Sequence, residues 1–118
     1  MEEPLKAVGL TEEANAILAE IFAKGIFAEE TDIAKLAIAH AVALKLHPKK
    51  IAKTNTKWAV GNFDPENEVR DLLKTVYSAE EPSHAMRDLM SQGMLSLAEK
   101  YRVAGSWNLS GLVEAASG

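Results

Sequence analysis

The chain has 118 residues, 47% hydrophobic and 25% charged, with a formal net charge of −4. This is the composition of one ordinary globular domain, and it excludes a disordered or collagen-like chain. With no cysteine, a disulfide framework, a thiolate metal site and a cysteine nucleophile are all excluded.

The opening MEEPLKAVGL carries acids where a secretory signal carries bases and a long apolar run, so a cytoplasmic protein is expected. The first predicted element is a helix capped by Thr11, with Glu12 and Glu13 at the positive end of its dipole. Ala14, Ile17, Leu18, Ile21 and Phe22 follow the spacing of one helical face, and Gly25 is placed to end the helix in a left-handed conformation. The second element, Thr31 to Leu46, is the longest apolar run, and the rest of the fold is expected to pack around it. Thr31 and Asp32 offer capping oxygens and Pro48 forbids continuation. Apolar residues surround most of its circumference, which requires burial by other helices or a second subunit. Sixteen residues interrupted by Lys35, His40 and Lys45 are too short to cross a bilayer, where about 20 apolar residues are needed.

Residues 47–56 read as an exposed basic loop, and Lys57–Phe63 as a short strand that needs a partner, either an N-terminal segment or its copy in another subunit. Asp64-Pro65-Glu66 predicts a helix start with proline in the first helical position, followed by a buried face of Val69, Leu72, Leu73, Val76 and Tyr77. Pro82 opens the last long helix by the same logic. Met86, Leu89, Met90, Gly93, Met94, Leu97, Ala98 and Tyr101 share one face, and Gly93 among them suggests close approach of another helix. The expected fold is mainly α: a single domain, 1–118, of about four helices with one short strand near residues 57–63, and with 1–10 and 105–118 as peripheral tails.

Charge is segregated along the chain. Residues 1–32 hold eight acids and two bases, residues 33–63 hold six lysines and no acid, and residues 64–118 hold nine acids and five bases. Lysines in a flexible loop can neutralise backbone phosphates without reading sequence, so Lys45, Lys49, Lys50, Lys53 and Lys57 are the candidate nucleic-acid contacts. The bland alternative is a loop kept soluble by its charge. Trp58 beside Lys57 could stack on a base, but a Trp buried in a short strand is the preferred reading. His40, His47 and His84 lack the spacing of metal ligands, so no metal site or cofactor is expected, and His40 reads as a hydrogen-bonded core or interface residue. No nucleophile-elbow or phosphate-loop pattern is present, and Glu12-Glu13 and Glu80-Glu81 sit at helix starts, so the expectation is a protein without catalytic residues.

Five segments taken in order, ILAEIFAKG, AKLAIAHAVAL, TKWAVGNF, LLKTVY and SQGMLSLAE, lie within residues 11–100. In that order the chain resembles the small DndE-type proteins of bacterial DNA phosphorothioate modification. The resemblance implies a helical, ribbon-helix-helix-related, homo-oligomeric protein that binds DNA through basic surface residues and performs no catalysis. The chain departs from that pattern in being acidic outside its middle third. Two functions follow as expectations: a DNA-associated protein using the lysine-rich segment, or a homo-oligomeric adaptor for a protein partner.

Overall fold

A computed structural model describes residues 3–50, 53–79 and 81–117. In chain order the elements are β1 (Ala7–Leu10), α1 (Glu12–Phe22), α2 (Glu30–Ala43), β2 (Asn55–Ala59), the single turn α3 (Val60–Phe63), α4 (Glu68–Tyr77), α5 (Pro82–Tyr101), β3 (Arg102–Val103), β4 (Ser106–Trp107) and α6 (Leu109–Ser117). The protein is mainly α and forms one domain around one core. Among the described residues there are six helices rather than about four, the additions being α3 and α6.

The first helix forms as its sequence predicts. Thr11 Oγ1 accepts the Ala14 N–H at 3.2 Å, and Ala14, Ile17, Leu18 and Ile21 are buried. Gly25 takes the left-handed conformation, φ 76°, and donates its N–H to the Phe22 carbonyl. The second helix is shorter than the apolar run. It begins at Glu30 behind Glu29, whose N–H is accepted by the Asp32 carboxylate at 3.2 Å, so Asp32 is the third-position acid of a capping box rather than the cap. It ends at Ala43 because Lys45 turns left-handed at φ 56°, with Lys45 N–H bonded to Val42 O and Leu46 N–H to Ala41 O. That pair of bonds is a Schellman closure, with lysine where glycine is usual.

The expected strand is real but shifted. Its pairing segment is Asn55–Ala59, and Val60–Phe63 coils into α3 instead of continuing. Its antiparallel partner is the N-terminal β1, with Ala7 opposite Ala59, Val8 opposite Trp58, Gly9 opposite Thr56 and Leu10 opposite Asn55. The register skips one residue between Val8 and Gly9, leaving Lys57 as the bulge. Gly9 is required there, because a Cβ at this position would lie 1.7 Å from the Asn55 carbonyl oxygen. Val8 and Leu10 point into the core.

Asp64 starts α4 from a distance. Proline is not in the first helical position, since Asn67 takes a left-handed conformation and the helix begins at Glu68. The buried Asp64 carboxylate nevertheless accepts the N–H groups of Val69 and Arg70 at 3.1 Å each and Arg70 Nε at 2.9 Å. Burial alone would raise this carboxyl, but the Arg70 side chain, the two backbone N–H groups and the guanidinium charge outweigh it and hold it below the usual carboxylate range. On α4 only Leu73 is fully buried; Leu72 and Val76, expected inside, are 43% and 45% exposed.

The element on which the others pack is α5, not the apolar α2. It touches α1, α2, α4, α6, β1 and β3, and its Pro82 occupies the first turn behind Glu81, which accepts the Ser83 N–H at 3.0 Å. Met86, Leu89, Met90, Met94 and Leu97 are all fully buried. At its crossing with α2, a Cβ on Gly93 would fall 1.9 Å from the Ala37 carbonyl oxygen, so the two backbones meet with no side chain between them. The Ser83 and Ser91 hydroxyls accept the N–H groups of Leu5 and Thr11 and fasten β1 along the same helix. Beyond Tyr101, Ala104 and Gly105, both at positive φ, turn the β3–β4 hairpin. Arg102 Nη1 and Trp107 Nε1 both donate to the Glu20 carboxylate, at 2.8 and 3.3 Å, fixing the hairpin against α1. The fully buried Leu112 docks α6.

Gly93→Ala is expected to destabilise the fold by about 3 kcal/mol in urea titrations, since backbone must move to admit the methyl group. Asp64→Asn is expected to cost about 2 kcal/mol at pH 7 by leaving Arg70 and two amides poorly matched. Because the folded-state pKa of Asp64 lies below its ordinary 3.8, its contribution is complete above that pH and is lost as pH falls through the folded value. The Asn variant should therefore lose stability less steeply than wild type in acid titrations followed by circular dichroism.

Candidate nucleic-acid interface

The five lysines singled out from sequence fall in two places. Lys45 is exposed at the left-handed turn that closes α2. From there the chain folds back onto α5, where Gln92 holds it twice: its Nε2 donates to His47 O at 2.9 Å, and its Oε1 accepts the Lys49 N–H at 2.8 Å. This amide clamp fixes a backbone stretch from which Lys49 and Lys50 project into solvent. Lys53 is also exposed and lies beyond Ile51 and Ala52, the part of the expected loop that falls outside the described residues.

Lys57 stands apart. As the bulged residue of β2 it is half-buried, with Nζ 3.4 Å from the Glu30 carboxylate and 5.6 Å from the Trp58 ring centroid. Glu30 opens α2 and Lys45 follows its end, so the two lysines are separated by a fourteen-residue helix, about 20 Å long. Trp58 is half-buried against the core, its ring centroid 5.4 Å from that of Phe63.

Two further basic residues of α5, His84 and Arg87, border the loop. Lys50 and Pro48 share a polar cleft of about 630 Å³ with His84, Arg87, Glu81 and Asp88. The acids there are already engaged. Asp88 accepts Arg87 Nε at 3.0 Å, and Glu81 is held below the usual carboxylate range by hydrogen bonds from Ser83, with smaller contributions from the charges of His84 and Lys74. His84 Nε2 lies 2.8 Å from the Glu3 carbonyl oxygen, tying the N-terminal segment to the start of α5. The sequence carries a faint signal for this pair, since His84 and Arg87 are three residues apart on a helix. Nothing in it says that the loop after α2 returns to that face.

His40 is half-buried, its Nε2 3.2 Å from Ser96 Oγ and its ring 6.2 Å from that of Tyr101. Its partner is a hydroxyl, not a carboxylate. Burial, and then the charge of Lys100, lower its pKa from the ordinary value. Among the described residues, no group of three His, Asp or Glu side chains is placed to hold a metal ion, and no helix is long and apolar enough to cross a membrane. No known family model, curated protein or solved structure matches the chain.

The lowered pKa of His40 means that folding favours the neutral imidazole over the charged one. Its contribution is complete above pH 6.5, the ordinary value, and is lost as pH falls below it. Thermal melts between pH 7.5 and 5 are expected to show stability falling with acid over this window, and His40→Gln should flatten that part of the profile.

Proposed function

We propose that this chain is a non-enzymatic DNA-associated protein that contacts the nucleic-acid backbone electrostatically, and that it is related to the DndE-type proteins of DNA phosphorothioate modification. The observation that carries this reading is the clamped loop: Lys45, Lys49 and Lys50 extend from a fixed backbone, and none of them is paired with a carboxylate among the described residues. Lysines held in this way lose little backbone entropy when they meet phosphates, and each contact releases condensed counterions. Lys53 continues the series and Arg87 borders it through the cleft shared with Lys50. Lys57 belongs to the lysine-rich segment in sequence, but its charge is engaged by Glu30 at the far end of α2. The order strand, helix, helix in β1, α1 and α2 supports a relation to the ribbon-helix-helix arrangement. A cytoplasmic location follows from the reading.

A second reading is a homo-oligomeric adaptor for a protein partner. It is favoured by Leu72 and Val76, which stand one turn apart on the exposed side of α4. The apolar residues of α2 itself are consumed internally, with Ile33, Ala34, Leu36, Ala37, Ile38 and Ala41 buried within the chain.

Fluorescence anisotropy with duplex, nicked and single-stranded DNA at low salt tests the leading reading. Replacing Lys45, Lys49, Lys50 and Lys53 together by alanine is expected to weaken binding at least about tenfold, and log K against log salt for wild type should slope at about −3.6 if all four contact duplex phosphates. Lys57→Ala should change affinity little. Absence of binding at low salt, or affinity unaffected by the fourfold variant, would overturn it. Capture of a defined protein partner by a chain that binds no DNA would favour the adaptor.

A further inference from the structure

A cleft of about 630 Å³ opens between α2 and α6, lined also by Ile26, Phe27 and Ala28 of the connection that precedes α2. Its volume is within the range of small-molecule sites. Eight of its eleven lining residues are apolar, and four of those eight are alanines, among them Ala39 of α2 and Ala116 of α6. Alanine side chains stop at Cβ, so they leave space that larger residues would fill.

Three polar side chains border this space, and each is engaged elsewhere. Asp32 Oδ2 accepts the Glu29 N–H in the capping box of α2 at 3.2 Å. Lys35 extends over Phe63, its Nζ 5.6 Å from the ring centroid, and Phe63 does not line the cleft. Ser117 Oγ donates to the Val113 carbonyl oxygen one turn back, at 2.9 Å. The acid and the base are opposite in sign and stand three residues apart on α2, so the border carries no net charge. A charged ligand would give up its hydration here and meet no available counter-ion among the lining residues. An uncharged one escapes that cost and gains from burial of its hydrocarbon surface.

We propose that the cleft between α2 and α6 binds an uncharged, largely hydrocarbon small molecule, held by apolar contact with Phe27, Leu36 and Val113. Shape and the absence of an available counter-ion set its selectivity. The site goes beyond the proposed DNA contact and shares no lysine with it.

Phenylnaphthylamine, a neutral dye, is a suitable probe. The folded chain is expected to bind one equivalent saturably, with blue-shifted emission. Naphthalene sulfonate should displace the dye at least about tenfold less effectively than naphthol, since the two share one ring system and only the sulfonate brings a charge to be desolvated. Ala39→Phe or Ala116→Phe should weaken dye binding at least about tenfold by filling the cleft. Both positions are exposed, so either variant serves if the other fails to retain a native near-ultraviolet circular dichroism spectrum. Lys49→Ala, a change in the lysine loop, should leave binding unaffected. The proposal is overturned by absence of saturable binding, by full binding in a folded cleft-filling variant, or by equal displacement with the sulfonate and naphthol. Loss of dye binding as the chain self-associates in sedimentation would also overturn it, giving the cleft to a second copy.

Discussion

The backbone contact between Gly93 of α5 and Ala37 of α2 is the constraint on which the remainder depends. With the Ala37 carbonyl oxygen occupying the place of a glycine Cβ, the two helices approach as closely as polypeptide allows. Only small residues permit such an approach, and α2 supplies them: Ala34, Ala37 and Ala41 are all completely buried. Larger side chains of the two helices, Ile33, Ile38, Met86, Leu89, Met90 and Met94, are buried in the same core. The interior reaches close packing by pairing small against large rather than by uniform bulk.

That crossing also sets where chemistry is available. Because α2 spends its apolar surface on α5 and its neighbours, it turns outward only at its ends and along one side. Its C-terminal end, closed at Lys45, delivers the lysine loop to Gln92 of α5. Its outer side, with Lys35 and Ala39, forms one wall of the cleft beneath α6. A polar clamp thus lies beyond the C-terminal end of α2 and a mainly apolar cleft along its outer side.

Local chemistry made much of this legible. The Thr11 cap, the Gly25 terminus, Pro82 in the first turn of α5 and the buried row from Met86 to Leu97 each follow from interactions within one or two helical turns, so sequence spacing suffices to find them. Gly93 was readable as a close approach because glycine on a buried helical face has few other uses. Where the reading slipped, a nearby residue offered a competing bond. Glu29 and Asp32 formed the cap that Thr31 could have supplied, the left-handed turn at Lys45 shortened α2, and Asp64 reached over Pro65 to bind amides five and six residues onward. Leu72 and Val76 satisfied the helical period and are exposed nonetheless, since a period identifies a face without supplying a neighbour to cover it.

The sequence by itself determined the helical class, both ends of α1, the start of α5 and the acid-free lysine segment of the middle third, because these depend on residue type and short spacing. Only the tertiary structure decided which charges share a surface. Lys45 and Lys57 belong to one acid-free segment, yet a helix about 20 Å long and a salt bridge to Glu30 separate them, while Lys50 shares a cleft with Arg87, thirty-seven positions away. Charge acts through space, and the return of the loop onto α5, fixed by one glutamine amide, is a long-range contact that no local spacing encodes.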